Sequence, residues 1–541
     1  MFINFSDIPG NHNLFLDYLY EFENVKDFYK TNFRDKDEYL KTFAKVAESH
    51  GHSREQLVSA LDRQYKDFNA SAKTRKNISA LGDNTTLAVV TGQQLGIMGG
   101  PLYTIYKIIT AIKLSTTLSD SYDEYQFVPV FWLEADDHDF NEVREINLIN
   151  DNNEIKKIAY GQELLEDENK GSVGRLAFTD LLDTFFTELQ NNLRTTEYTP
   201  ALMEKIKSIY SVGKTFKLSF KELLFWLFDQ YGLIIFDPQD LEIKELLKPV
   251  FKKEITDFRI HTEKLVSVSA KLEEMYHAQV KVRPINLFYS YEEGRYLIEP
   301  VENEFRLKRK RKKFTEEEIL ASIENEPGNF SSNVLLRPIC QDYILPTAFY
   351  VGGPSEVAYF AQIMPLYEFY KIEPPIIYPR SSATILEKNI SSIIEKYEID
   401  VNKLIHDPEQ LKKKIVDSIS NSSIDDIFNE TSQNVEKEID KLKEKLFEFD
   451  KTLSDSTTKY SERILRYITE LKGKALEAQG RKFETTLRQI DKVTNSILPD
   501  NVLQEREINF IYFANKYSLD ILRHIFDELS INKFEHQIIS L

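Results

Sequence analysis

The stretch from Leu87 to Lys107, LAVVTGQQLGIMGGPLYTIYK, constrains the fold most: a β-branched apolar run, a glycine-rich loop, then a helix reached through Gly100 and Pro101. The first N–H groups of a helix lack intrahelical acceptors and sit at the positive end of its dipole, so strand, tight loop and helix start make a corner suited to an anion. Spacing excludes two nucleotide motifs. Gly92, Gly96, Gly99 and Gly100 do not spell G-x-G-x-x-G, and no lysine follows a G-x-x-x-x-G as in a P-loop. Gly213-Lys214-Thr215 has a P-loop's tail without its leading glycine. From spacing alone the corner reads equally as a buried turn or as a ligand site.

A second apolar run, Phe127 to Leu133 (FVPVFWL), suits a strand buried on both faces and breaks into Glu134, Asp136, Asp137, His138 and Asp139. In an open parallel sheet, ligands bind beyond the carboxyl ends of the strands, which is where this cluster falls. Carboxylates and an imidazole this close suit Mg²⁺, a held nucleophile or proton transfer, and make Asp137, His138 and Asp139 the catalytic candidates. The alternative is a helix N-terminus decorated with aspartates. Leu335 to Gln362, LLRPICQDYILPTAFYVGGPSEVAYFAQ, carries Arg337, Gln341, Asp342, Gly353, Ser355, Glu356, Tyr359 and Gln362, and a second glycine–proline helix start. Polar residues in such apolar surroundings either satisfy buried backbone or line a pocket, and Arg337 and Asp342 could simply pair. PPIIYPRSS, Pro374 to Ser382, ends in Arg380 and Ser381, which suit a carboxylate or phosphate. Together with Thr91, Gln93, Gln94, Gly96, Gly99, Gly100, Pro101, Tyr103 and Lys107 of the first corner, these residues are the nucleotide- and substrate-binding candidates.

In this order, TGQQLG, GGPLYTIYK, Asp137-His138-Asp139, RPICQDYILPTAFYVGGPSEVAYFAQ and YPRSS closely resemble the BshC family, the cysteine ligases of bacillithiol biosynthesis. The resemblance covers essentially the whole chain from the Asn11 region onward. It implies an enzyme that joins L-cysteine to the glucosamine nitrogen of glucosaminyl malate as an amide, in the last step of making this thiol. It also implies a Rossmann-like core similar to that of class I aminoacyl-tRNA synthetases. In that likeness the Gly96 to Pro101 loop stands where the signature helix start meets ATP, with His138 a further phosphate contact. The chain departs from the synthetase pattern: it has no paired-histidine signature, and RLKRKRKK, Arg306 to Lys313, is not the second signature loop. A homodimer through a C-terminal coiled coil is implied as well.

Amide formation in water requires an activated acyl group, ordinarily through ATP, sheltered from hydrolysis. On this reading Gly96, Gly99 and Gly100 admit nucleotide phosphates, Asp137 or Asp139 holds Mg²⁺ or anchors the cysteine ammonium, and Arg337 or Arg380 meets a malate carboxylate. Two other functions are carried: a metal-dependent hydrolase or phosphoesterase built on Asp136 to Asp139, and a non-catalytic coiled-coil scaffold. Eight other histidines, His52 among them, are scattered without ligand spacing, and no metal set is assigned.

A single cysteine, Cys340, excludes an intramolecular disulfide and fits a reducing, cytoplasmic setting; its apolar neighbours make it a core residue. No charged-then-apolar leader and no run of about 18 apolar residues appears, so neither secretion nor membrane spanning is expected. A net charge of −18 argues against nucleic acid as a partner, and RLKRKRKK is expected on a solvated helix or loop, where it could also steer an anionic substrate.

The predicted architecture is α/β: a Rossmann-like core over 1–385 behind a helical N-terminal arm, with insertions at about 151–210 and 262–330 and a hairpin around Glu293-Gly294. A helical coiled-coil domain follows over 386–500, and a helical segment over 501–541 packs back on the core. Val435, Ile439, Leu442, Leu446, Phe449 and Leu453 recur at spacings of four and three, a coiled-coil seam. A turn is expected at Asp450 to Thr457, then a second helix with Leu476, Phe483, Leu487, Ile490 and Ile497 before Pro499, giving an antiparallel hairpin. Such a hairpin either dimerises or pairs only within its own chain.

Overall fold

The computed structural model describes residues 1–50, 53–161, 169–419, 424–482 and 484–541, so His52 and Phe483 lie outside the described residues. The apolar runs form a five-stranded parallel sheet from β1 (Thr86–Gln94), β2 (Gln126–Glu134), β3 (Ile234–Phe236), β4 (Thr347–Gly352) and β5 (Ile376–Pro379). The spatial order is β5-β4-β1-β2-β3. Leu87 pairs with Phe127 and Gln94 with Glu134 across β1 and β2, Val130 pairs with Ile234, and Val90 pairs with Tyr350. Leu87, Val89, Val90, Val130 and Phe131 are wholly buried, and each large side chain contributes about 1.5–3 kcal/mol by leaving water. Helix α1 (Tyr103–Ser121) packs on β1 and β2; α2 (Arg337–Ile344) leads into β4, and α3 (Pro354–Tyr370) follows it.

The chain builds β1, β2 and β3 outward in one direction, then returns to the other side of β1 for β4 and β5. Strand order reverses between β1 and β4, which opens a crevice at their carboxyl ends. Thr91 Oγ1 donates to Val351 O at 2.9 Å across that junction.

Two long connections flank the sheet. Between β2 and β3 lie the hairpin Glu145–Ile149 with Ile155–Ala159 and the helices Leu181–Asn192, Thr199–Ile209 and Phe216–Phe228. Between β3 and β4, three helices precede an antiparallel sheet containing Leu287–Tyr291, Gly294–Val301, Glu304–Leu307, Lys313–Thr315 and Phe330–Ser332. The run RLKRKRKK, expected on a helix or loop, forms a hairpin with Arg306 opposite Lys313. Glutamates outside the run offset its charge: Lys310 meets Glu292 and Lys313 meets Glu304, each at 2.8 Å.

Met1–Ile385 with Pro499–Ile539 forms one compact unit, and Leu386–Leu498 with Ser540–Leu541 a second. The second unit is helical and contains the coiled coil, α4 (Ile424–Phe449) and α5 (Lys451–Lys482), followed by α6 (Glu484–Ile497). Asp425, at the start of α4, meets Lys472, well along α5, at 2.6 Å, so the two helices run antiparallel. The break between them is Asp450 alone, shorter than the expected turn. Its carboxylate accepts from Thr452 N and Oγ1, while Thr457 and Thr458 return their hydroxyls to Leu453 O and Ser454 O and continue the helix. No side chain of α4 is buried within this chain, and Phe449 is 90% exposed. Among the described residues, no helix is long and apolar enough to cross a membrane.

Candidate active site

A cavity of about 660 Å³ opens within the first unit at the carboxyl ends of the parallel strands. Gly92 to Gln94 end β1, Trp132 to Glu134 end β2, Gly353 to Glu356 follow β4 and Arg380 follows β5, and all of them line it. Side chains from α1 (Tyr103, Lys107), α2 (Arg337) and α3 (Tyr359) join them, with Arg295 from the inserted antiparallel sheet. Arg506 comes from the segment that follows the coiled coil.

The start of α3 is fixed by its own sequence. Pro354 occupies the first turn, where a missing N–H costs no hydrogen bond, and Glu356 Oε2 accepts from Gly353 N at 2.8 Å. The same carboxylate meets Lys107 Nζ at 2.5 Å and accepts from Tyr350 at 2.5 Å. Burial alone would raise its pKa, and Lys107, Gly353 N–H and Tyr350 together hold it below the usual carboxylate value. Lys107 also donates to Gly92 O at 2.9 Å and Gln93 Oε1 at 2.8 Å, tying α1 to the end of β1. Arg380 is buried, donates to Glu505 at 2.7 Å, and stacks over Tyr103. A Cβ on Gly353 would stand 3.2 Å from Arg380 Nε, a contact tight enough that the guanidinium would have to shift by a few tenths of an ångström to admit a side chain. Arg506, beside Arg380, has no carboxylate partner within salt-bridge distance among the described residues, and burial lowers its pKa.

The other wall is acidic. Asp136 accepts from Gln239 on one oxygen and Lys244 on the other, at 2.9 and 2.7 Å. Asp137 accepts from Gln94 at 2.6 Å and from the backbone N–H of His138 at 2.6 Å, and the His138 ring, Gln94 and the nearby Arg295 outweigh its burial and lower its pKa. Arg295 is held by Ser331 and Ser332, lies over the Phe288 ring at 3.8 Å, and places Nη1 3.1 Å from His138 Nδ1. The same Nδ1 lies 3.5 Å from Asp137 Oδ1, so the His138 ring sits between the guanidinium and the carboxylate. Gln94 gives its second hydrogen bond to Glu142, whose pKa is raised by burial. Glu134, at the end of β2, meets Arg337 Nε at 3.0 Å, and burial raises its carboxyl to about 7 against the pull of that guanidinium. Arg337 is in turn fixed by Gln341, Tyr350 and Tyr359 at 2.8, 3.1 and 2.5 Å.

Of the residues singled out in the sequence, Gln93, Gln94, Tyr103, Lys107, Asp137, His138, Arg337, Gly353, Ser355, Glu356, Tyr359 and Arg380 meet at this cavity. The glycine loop of the first corner does not: Gly96, Gly99, Gly100 and Pro101 lie outside its lining, and α1 begins only at Tyr103. Asn509 Nδ2 donates to Met98 O at 3.1 Å and Gly100 O at 2.6 Å, and Leu102 N donates to Ile508 O at 3.0 Å, while Gly99 N and Gly100 N bond back to Gly96 O and Ile97 O within the loop. A Cβ on Gly96 would stand 2.7 Å from Gly100 Cα, and Gly100 has φ +68°. Close packing of Gly96 on Gly100 and the positive φ of Gly99 and Gly100 account for these glycines. Asp139 caps the short helix Phe140–Val143 through Glu142 N. Gln341 bridges Arg337 to Asp342, which itself binds Tyr367 at 2.5 Å, so Arg337 and Asp342 do not pair directly. Thr91, Gln362 and Ser381 also lie outside the lining, and Gln362 clamps Val280 through both N–H and C=O. Cys340 is buried and pushed up to about 12, inert as a nucleophile.

Three carboxylates of the Asp136 to Asp139 run thus have separate partners. Among the described residues no group of three or more His, Cys, Asp or Glu is placed to hold a metal ion. Sequence reasoning passed over Glu134 as a site residue, although it ends the strand whose terminus was recognised, and Glu142. It also missed Arg295 and Arg506, which arrive from distant segments and carry no local signal.

Residues 1–381 match the family description "Bacillithiol biosynthesis BshC, N-terminal Rossmann-like domain", and residues 383–541 match "Bacillithiol biosynthesis BshC, C-terminal coiled-coil domain". A Salinibacter ruber protein named "Putative cysteine ligase BshC" is 34% identical, covering 98% of this chain and 96% of its own. Proteins of the same name from Chloroherpeton thalassium and Chlorobaculum tepidum are 33% and 32% identical, covering 97% and 95% of this chain and 96% and 94% of theirs. A solved structure described as a "putative arginyl t-RNA synthetase" from Campylobacter jejuni covers 81% of this chain and 99% of its own at 13% identity and a TM-score of 0.21, too low to carry the synthetase likeness.

Proposed function

The chain belongs to the bacillithiol biosynthesis BshC family, and from that membership we propose that it is an ATP-dependent ligase joining the carboxyl group of L-cysteine to the amine of glucosaminyl malate. The observation that carries this reading is the cavity's pairing of a guanidinium-rich region with a carboxylate-rich one at the switch point of the sheet. Both substrates bring an ammonium and a carboxylate into one reaction, and a site with both signs of charge holds both.

Within this reading Arg380, Arg506 and the first turn of α3, whose Ser355 and Glu356 amides have no intrahelical acceptors, take the anionic group, a malate carboxylate or a phosphate. Asp137, oriented by Gln94 and His138, anchors an ammonium. ATP supplies the activation of the cysteine carboxyl; the chain's own part is to bind, orient and exclude water. In the second unit, the exposed stripe of Leu442, Phe449, Leu453 and Tyr460 supports dimerisation through the coiled coil, which a solution mass of twice 63.3 kDa would bear out and a monomeric mass at micromolar concentration would refute.

The test incubates pure protein with cysteine, glucosaminyl malate, Mg²⁺ and ATP and resolves thiol and nucleotide products by mass spectrometry. Bacillithiol with AMP supports activation as an adenylate, and bacillithiol with ADP supports an acyl phosphate. Absence of bacillithiol with folded protein overturns the reading.

A further inference from the structure

Five carboxylates line the cavity, and their hydrogen bonds separate them. Asp136 has both oxygens bonded, Asp137 accepts on both, and Glu356 accepts on both. Each is held as a fixed anion that positions a cation or a backbone group. Glu142 sits toward solvent and shares Gln94 with Asp137. Glu134 differs: its Oε1 meets Arg337, its Oε2 has no hydrogen-bond partner among the described residues, and 24% of its side chain is open. It ends β2 at the floor of the crevice, opposite Gln94 of β1, and a Cβ on Gly92 would stand only 3.5 Å from its Oε1.

Resting on the ligase reading, we propose that Glu134 is the general base that takes the proton from the attacking amine, and that Arg337 is its positioning residue. Arg337 suits that part because Gln341, Tyr350 and Tyr359 hold its other nitrogens, so its Nε stays aimed at Glu134 Oε1. The surroundings give Glu134 a basicity matched to neutral pH. Burial, with Asp137, Glu356 and Asp136 nearby, raises its carboxyl, Arg337 lowers it, and Arg295 and Tyr359 also feel its charge. In the step, the Glu134 carboxylate accepts one proton from the substrate ammonium. The freed nitrogen lone pair forms the carbon–nitrogen bond to a cysteinyl carbonyl activated as a mixed anhydride with phosphate. The carbonyl carbon–oxygen bond to phosphate breaks with its electron pair on the departing oxygen, which takes the nitrogen's second proton, and Glu134 returns its own proton to solvent.

The experiment compares wild type with Glu134→Gln and Glu134→Asp in two assays: bacillithiol formation, and trapping of activated cysteine as its hydroxamate by hydroxylamine, a nucleophile already unprotonated at neutral pH. The expected result is an about 10²- to 10⁴-fold lower kcat for amide formation in Glu134→Gln, loss of the acid limb near pH 7, and retained hydroxamate formation. Glu134→Asp, with its base one methylene short, keeps the acid limb at an intermediate rate. An unchanged kcat or acid limb in Glu134→Gln, loss of hydroxamate formation with it, or an aspartate variant no better than the glutamine one overturns the proposal. Wild type that traps no hydroxamate and makes no bacillithiol defeats the ligase reading instead, and the proposal with it.

Discussion

The two glycine–proline corners, GGPLYTIYK after β1 and GGPSEVAYF after β4, are spelled almost alike and sit on neighbouring parallel strands, yet they are built for different ends. At the first, three residues in succession, Met98, Gly99 and Gly100, have positive φ, and Asn509 and Ile508 bond Met98 O, Gly100 O and Leu102 N. At the second, α3 starts directly at Pro354, Glu356 caps it and pairs with Lys107, and the free end of the helix opens on the cavity next to Arg380. A glycine-rich turn before a helix is therefore only a permission for close approach. Whether the approaching group is a ligand or the protein's own chain depends on which segment packs there.

The sharpest way to break this contrast is at the pair that braces the second corner. Glu356→Gln leaves the Lys107 ammonium buried without its carboxylate and is expected to cost about 3–5 kcal/mol in urea unfolding, with product formation falling as well. A loss below about 1 kcal/mol would mean the pair is not what holds α1 to α3. At the first corner, Gly96→Ala forces a Cβ against Gly100 Cα and is expected to cost about 1–3 kcal/mol, while kcat/KM of the folded fraction stays at the wild-type value. A substrate-affinity defect there, without instability, would return the first loop to the binding site.

A smaller effect follows from the support beneath the second corner, where Asp342 receives the hydroxyl of Tyr367 from α3. Burial pushes the Asp342 carboxyl from its ordinary 3.8 up to about 6, so the folded protein holds that proton more tightly than the unfolded chain. The stability from this proton is fully present below pH 3.8 and is lost as pH rises through about 6. Asp342→Asn carries a neutral acceptor at every pH, so its stability relative to wild type should rise between pH 4 and pH 7. A difference that stays constant over that range would show that Asp342 does not titrate so.

Much of the core was legible because continuously apolar β-branched runs have few alternatives to a doubly covered parallel sheet, and α4 was legible in the spacing of four and three from Val435 to Phe449, although Leu453 falls past the break, on α5. The seam's turn was read too long because Ser and Thr were taken as helix breakers, whereas here Thr457 and Thr458 bond back to their own helix. The site was legible at the strand ends: Gln93, Gln94, Asp137, His138 and Glu356 follow from where an apolar run stops. Arg295 and Arg506 were not, because each reaches the cavity from a segment far away in sequence, and their own neighbourhoods look like ordinary charged surface. The same distance hid the fate of the first loop, since Asn509 lies 409 residues from Gly100.

The claim that the second corner, not the first, receives the substrate is tested most directly by calorimetric titration of glucosaminyl malate onto wild type, Arg506→Ala and Asn509→Ala. Loss of a charged contact is worth about 1.5–3 kcal/mol, so Arg506→Ala should bind roughly 10- to 100-fold more weakly. Asn509→Ala should keep the wild-type Kd while losing stability. Weakened binding in Asn509→Ala with an unchanged Kd in Arg506→Ala would contradict the account.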